Sequence, residues 1–127
     1  MQSKVFLAAD AAVNGDRQLD YGHPFNDFTR IAGMWNAYLG LEVGTIQPED
    51  VANMMIHLKQ SRLKNTPRHE DSQVDVAGYT KCYELIRQYR LDNDKPHPKD
   101  PQKEAINFTK EAILSTPKTT AFVPNKK

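Results

Sequence analysis

The sequence predicts an all-α protein, with a four-helix bundle-like body and a proline- and lysine-rich C-terminal arm containing one short helix. Three observations predict it. Apolar residues recur three and four apart in four separate stretches, each bounded by proline, glycine or a polar turn. No stretch of the body alternates apolar and polar residues with β-branched enrichment. No segment repeats itself at solenoid periods.

The first helix is marked by Val5, Phe6, Ala9, Ala12 and Val13 and stops at Asn14-Gly15, where the glycine suits a left-handed cap. A polar loop from Asp16 to His23 leads to Pro24, which fits a first helical position because it has no N–H to leave unpaired. Phe25, Phe28, Ile31, Ala32, Trp35 and Leu39 mark the buried face of the second helix, which Gly40 and Gly44 end. Pro48 opens the third, with Glu49 and Asp50 in the first turn, where the helix dipole favours carboxylates. Val51, Met54, Met55, Leu58 and Leu63 carry it to about Asn65. A fourth helix starts near Glu70, buries Val74, Ala77, Gly78, Cys82, Leu85, Ile86 and Tyr89, and fades at Asp92.

The chain has 127 residues, 39% of them apolar, and a mean hydropathy of -0.69. One domain is expected, with an apolar supply low enough that self-assembly would add useful burial. A net charge of +1 excludes the strong positive field of a dedicated nucleic-acid binder. No apolar run is long enough to span a bilayer and no leader pattern opens the chain, so a soluble protein without a membrane role is expected. Cys82 is the single cysteine, which excludes an intrachain disulfide and a multi-cysteine zinc site and suits a reducing cytoplasm.

Composition changes near Asp94. Residues 94–127 hold five of the eight prolines, none of the six glycines, and seven lysines against four acids. The expected organisation is therefore a mildly acidic body, 1–93, and a basic arm, 94–127. Within the arm, Ala105, Ile106, Phe108, Ala112, Ile113 and Leu114 suggest a short amphipathic helix, and 119–124 reads as extended.

Candidate chemistry lies at the openings of the third and fourth helices. Glu49 and Asp50 stand on one; Asp71 and Asp75, four apart and so on one face, stand on the other. Two such faces meeting across a bundle could hold a hard divalent cation such as Mg2+, and each set also serves as ordinary dipole-complementing acid. Asp75, between Val74 and Val76 and beside Ala77-Gly78, needs a partner or a metal in so apolar a stretch. Lys59 and Arg62, three apart with His57 nearby, suit a row of phosphates or plain exposure. Tyr21-Gly22-His23-Pro24 forms a tight entry to the second helix, a place where an anion can sit. No glycine-rich phosphate loop, GxSxG or HExxH motif is present.

Several strings go together: Tyr21-Gly22-His23-Pro24, Asp27-Phe28-Thr29-Arg30-Ile31-Ala32 with Trp35, Pro48-Glu49-Asp50-Val51-Ala52 with Lys59 and Arg62, and Asp71 with Val74-Asp75-Val76-Ala77-Gly78-Tyr79. Over about residues 8–90 they resemble a family of small phage and prophage proteins of unassigned function, itself distantly similar to the all-α MazG-like nucleotide pyrophosphohydrolases. That resemblance implies magnesium held by E-x-x-E on one helix and E-x-x-D on the next. Asp50-x-x-Asn53 and Ser72-x-x-Asp75 stand at the matching separation, with neutral Asn53 and Ser72 in two of the four acid positions. Glu49 and Asp71, one residue away, are candidate substitutes. The resemblance also implies a dimer or tetramer in the cytoplasm of an infected bacterial host.

The leading expectation is a phage-encoded nucleotide-binding protein, a MazG-like magnesium-dependent nucleoside triphosphate pyrophosphohydrolase or a degenerate relative. Asp50 and Asp75 are its candidate catalytic residues. Glu49, Asp50, Asn53, Asp71 and Asp75 are candidate metal ligands, and Lys59, Arg62, His57, Tyr21 and His23 candidate ligand-binding residues. A non-catalytic, sponge-like anti-defence protein that sequesters a nucleotide is the alternative. An adaptor that binds a host or virion protein is the second.

Overall fold

The structure, a computed structural model, describes residues 1–101, apart from the side chains of Asp16 and Arg17. Five helices follow one another: α1 (Lys4–Asn14), α2 (Asp16–Tyr21), α3 (Pro24–Leu39), α4 (Pro48–Asn65) and α5 (Glu70–Asp92). No strand occurs among the described residues. The chain divides into two compact units, Met1–Lys95 and Pro96–Lys127, and all five helices belong to the first. In the described part of the second, the His97 N–H donates to Asp100 Oδ2 at 2.8 Å and the Lys99 N–H to His97 Nδ1 at 3.0 Å. The short helix and the extended segment expected after residue 101 lie outside the described residues.

The expected polar loop after the first helix is instead α2, six residues long. Helical structure resumes at once because Gly15 only kinks the chain: its φ is -95°, not left-handed, and its carbonyl accepts the Gln18 N–H at 3.1 Å. Glycine is required there for space, since a Cβ would stand 2.8 Å from the Ala11 carbonyl oxygen. Gly40 is the left-handed cap, with φ 67°, closing α3. Below it, buried Asn36 clamps the α3–α4 loop in both directions, donating to the Ile46 carbonyl at 3.2 Å and accepting the Ile46 N–H at 2.9 Å.

α4 and α5 form an antiparallel hairpin closed by residues 66–69, with Lys59 opposite Asp75 and Glu49 opposite Arg90. α1 packs along α5, pairing Asp10 with Lys81, and α3 covers both hairpin helices. Val13, Phe25, Phe28, Ala32, Val51, Ala52, Tyr79, Cys82 and Ile86 make the core where the helices meet. Phe25 stacks on Tyr89 with ring centroids 4.4 Å apart. The expected buried faces are wider than the core: Phe6, Leu39, Met54 and Leu58 are 70%, 58%, 41% and 43% exposed. Those positions lie on the flanks of the apolar stripes, and no element among the described residues covers them.

One ion pair sits inside this core. Arg90 donates through Nε to Glu49 Oε2 at 2.7 Å and through Nη2 to Glu49 Oε1 at 2.8 Å, with both residues buried. Nη2 also reaches Gln47 Oε1 and Nη1 the Lys95 carbonyl, while Arg87 approaches the same carboxylate at 3.4 Å. A bidentate fork of this kind ties the start of α4 to the end of α5. Removing one partner strands the other charge away from water, so Glu49→Ala or Arg90→Ala is expected to lower stability by about 3–5 kcal/mol. Urea denaturation followed by circular dichroism measures it, and a loss under about 1 kcal/mol contradicts the assignment.

Candidate functional site

Two residues of the predicted site meet. Lys59 Nζ lies 2.9 Å from Asp75 Oδ2 across the α4–α5 seam. The apolar setting that made Asp75 conspicuous is thus answered by an ammonium from the facing helix. The Lys59 side chain is only 14% exposed, whereas that of Asp75 is 40% exposed and open to solvent on one side. Arg62 lies one turn beyond Lys59 towards the hairpin turn, and exposed Asp71 one turn before Asp75. The hairpin end of the seam therefore carries Lys59 and Arg62 on α4 and Asp71 and Asp75 on α5, with Lys59 paired to Asp75.

Beside them opens a cleft of about 300 Å³ lined by Ser61, Arg62, Asn65, Thr66 and His69. His69 starts α5, its Nδ1 accepting the Ser72 N–H at 3.2 Å and lying 2.7 Å from the Ser72 hydroxyl. Ser61, Asn65, Thr66 and His69 were missed in the sequence because a helix end followed by a turn reads as punctuation. The signal that could have found them is the run of polar hydrogen-bonding side chains beside Arg62.

The remaining predicted residues lie elsewhere. Asp50 stands nine residues before Lys59, which at 1.5 Å per residue puts it about 13 Å along α4 from the ion pair. Its Oδ2 accepts the Gln47 N–H at 2.9 Å, capping α4. The expected meeting of Asp50 with Asp75 therefore fails, because an antiparallel hairpin places the start of α4 beside the end of α5. Glu49, the expected substitute ligand, is turned into the core and bound by Arg90. Asn53 lies on another cleft, with Ile56, Thr80, Tyr83 and Glu84. His57, two residues before Lys59, is rotated about 200° around α4 from it and is exposed. Among the described residues no three histidine, cysteine, aspartate or glutamate side chains gather closely enough to hold a metal ion.

Tyr21 and His23 form a separate place. The Tyr21 carbonyl accepts from Arg30 Nη2 at 3.0 Å, and its ring is exposed. His23 caps α3 by accepting the Phe25 N–H at Nδ1, 3.0 Å away, and its ring lies 4.9 Å from that of Tyr89. Tyr89 is fourteen residues from Asp75, about 21 Å along α5. Burial disfavours the imidazolium and pulls the His23 pKa below the usual 6.5.

The chain belongs to a family of unknown function, DUF6378, whose model matches residues 4–87. It is similar to the Gene 55 protein of Mycobacterium phage D29, 41% identical over 86 residues that cover 68% of this chain and 55% of that protein. It is likewise similar to the Gene 55 protein of Mycobacterium phage L5, 39% identical over 100 residues, 78% of this chain and 60% of the relative. The chain thus spans rather more than half the length of these relatives. No solved structure matches.

Two outcomes follow from this geometry. The unfolded chain takes up a proton at His23 near pH 6.5 and the folded one only at lower pH, so this residue's contribution is intact above 6.5 and lost as pH falls through its folded pKa. His23→Asn keeps a capping oxygen and removes the titration, so its stability curve is expected to be flatter than the wild type's below pH 6.5. Equal slopes in denaturant titrations across that range contradict this. For the Lys59–Asp75 pair, open to solvent on the Asp75 side, a double-mutant cycle of Lys59→Ala and Asp75→Ala is expected to give a coupling of about 1 kcal/mol or less.

Proposed function

We propose that this member of the DUF6378 family is a phage-encoded protein that binds a phosphorylated small molecule, a nucleotide, at the hairpin end of α4 and α5, and holds it rather than cleaving it. The observation that supports the reading best is Arg62 on the wall of the polar cleft of about 300 Å³, one turn from Lys59. A guanidinium offers a planar fork matched to phosphate oxygens. Ser61, Asn65 and Thr66 add hydroxyl and amide groups for the rest of the ligand. A nucleotide is the form such a ligand takes in the enzymes that the motifs resemble.

Holding rather than hydrolysis follows from the carboxylates. Asp71 and Asp75 are two acids on one helix face, one of them already bonded to Lys59, while Asp50 caps α4 and Glu49 is bound by Arg90. These residues do not fit a site of two magnesium ions, which needs carboxylates converging from both helices. The sponge-like alternative is favoured on that ground over the pyrophosphohydrolase, and in a phage it would lower the free level of a host nucleotide signal.

Calorimetric titration of the full chain with ribo-, deoxyribo- and cyclic nucleotides, with and without magnesium, tests this. Each mixture is then chromatographed. Stoichiometric binding of one nucleotide recovered unchanged is expected, with Arg62→Ala weakening it about tenfold or more and Asp50→Asn leaving it alone. Absence of binding to every nucleotide, or Arg62→Ala titrating as the wild type does, overturns the site. Release of pyrophosphate over many turnovers replaces holding with hydrolysis.

A further inference from the structure

Of the side chains that line the polar cleft at the hairpin end, only the Arg62 guanidinium carries a permanent charge. Among the described residues Arg62 makes no ion pair, whereas the Lys59 ammonium one turn away is neutralised by Asp75. The other lining groups are uncharged donors. Ser61 offers a hydroxyl and Asn65 an amide, and the Thr66 hydroxyl, which accepts from Asn65 Nδ2 at 3.4 Å, keeps its own hydrogen to give. His69 Nδ1 accepts the Ser72 N–H at 3.2 Å. In the neutral ring the proton therefore sits on Nε2, a further donor on the side of the ring away from Ser72. Two more exposed cations stand close by, and neither lines the cleft: Lys64 is rotated about 200° around α4 from Arg62, and Arg68 belongs to the turn before His69. Glu70 and Asp71 open α5 directly after His69. Over residues 59–75 four Lys and Arg side chains stand against three acids, a balance of +1.

We infer that the phosphate held here is a diester, as in a cyclic or internally linked nucleotide, and that nucleoside mono- and triphosphates are the poorer ligands. This rests on the phosphate-binding reading above and narrows the class of nucleotide. Charge selects the diester. Its single negative charge is shared by two free oxygens, which one guanidinium fork engages together. A terminal phosphate carries about -1.5 to -2 at pH 7 and a third free oxygen. Its second charge finds no further cation on the cleft wall and stands near exposed Asp71, two residues past His69. A triphosphate adds more charge of the same sign. The uncharged donors of Ser61, Asn65, Thr66 and His69 suit the ester and sugar oxygens, which accept hydrogen bonds without bringing charge. Size agrees: about 300 Å³ is at the low end of small-molecule pockets, room for one phosphate and its sugar rather than for a phosphate chain.

Calorimetric titration of the full chain tests it, comparing ligands that share a base and differ in their phosphate. For each ribonucleoside these are the 3′,5′-cyclic monophosphate, the 3′–5′-linked dinucleotide, the 5′-monophosphate and the 5′-triphosphate. Within the base series that binds, one of the two diesters is expected to bind at least about tenfold more tightly than the 5′-monophosphate and the 5′-triphosphate. Arg62→Ala is expected to remove that advantage. Arg68→Ala, on an exposed turn residue outside the cleft, is expected to keep it. A 5′-monophosphate or 5′-triphosphate that binds as tightly as either diester, and loses affinity on Arg62→Ala, overturns the diester assignment and leaves the binding site standing. Arg68→Ala costing as much affinity as Arg62→Ala also overturns the assignment, because a second cation then reaches the ligand. Failure of every nucleotide to bind removes the site and the diester assignment together.

Discussion

Glu49 and Arg90 face each other at 2.7 and 2.8 Å inside the body, forty-one residues apart in the chain. A buried guanidinium and carboxylate are tolerable only when most of their hydrogen-bonding capacity is met. Gln47 and the Lys95 carbonyl supply further partners to Arg90. That requirement fixes the register of α4 against α5 at one end of the hairpin. Lys59 and Asp75 then fall opposite each other at the other end. The aromatic contacts follow the same anchor, with Phe25 held between the Tyr89 ring at 4.4 Å and the Arg90 guanidinium at 5.3 Å.

The same register separates what the sequence places in one motif. Carboxylates at the start of α4 and at the start of α5 lie at opposite ends of an antiparallel pair, because each helix begins where the other finishes. The motif spacing therefore describes two stations along one seam. One station is structural, with Glu49 neutralised and Asp50 capping. The other keeps Arg62 and Asp71 exposed, and the phosphate reading rests there.

The outer surface is as informative as the interior. The apolar stripes on α1, α3 and α4 are wider than the faces that the body buries, and Phe6, Leu39 and Met54 stand exposed at their flanks. In the described residues no helix is long and apolar enough to cross a membrane.

Four of the helices are legible in the sequence, because their starts and stops are local chemistry: Pro24 and Pro48 at first positions, Gly40 ending α3, and apolar residues returning every three or four positions. It missed α2, since six residues with only Leu19 and Tyr21 to mark a face carry no apolar period. It singled out Asp75, Lys59 and Arg62 as residues of interest from their setting. Which of them meet is a matter of long-range packing. Whether Asp50 or Lys59 stands beside Asp75 depends on the direction and register of α4 against α5, and Arg90 drew no notice in the sequence because its partner is forty-one residues away. Periodicity records which face of a helix is apolar. The register that pairs two such faces is set by long-range packing and by the few buried charges that must find each other.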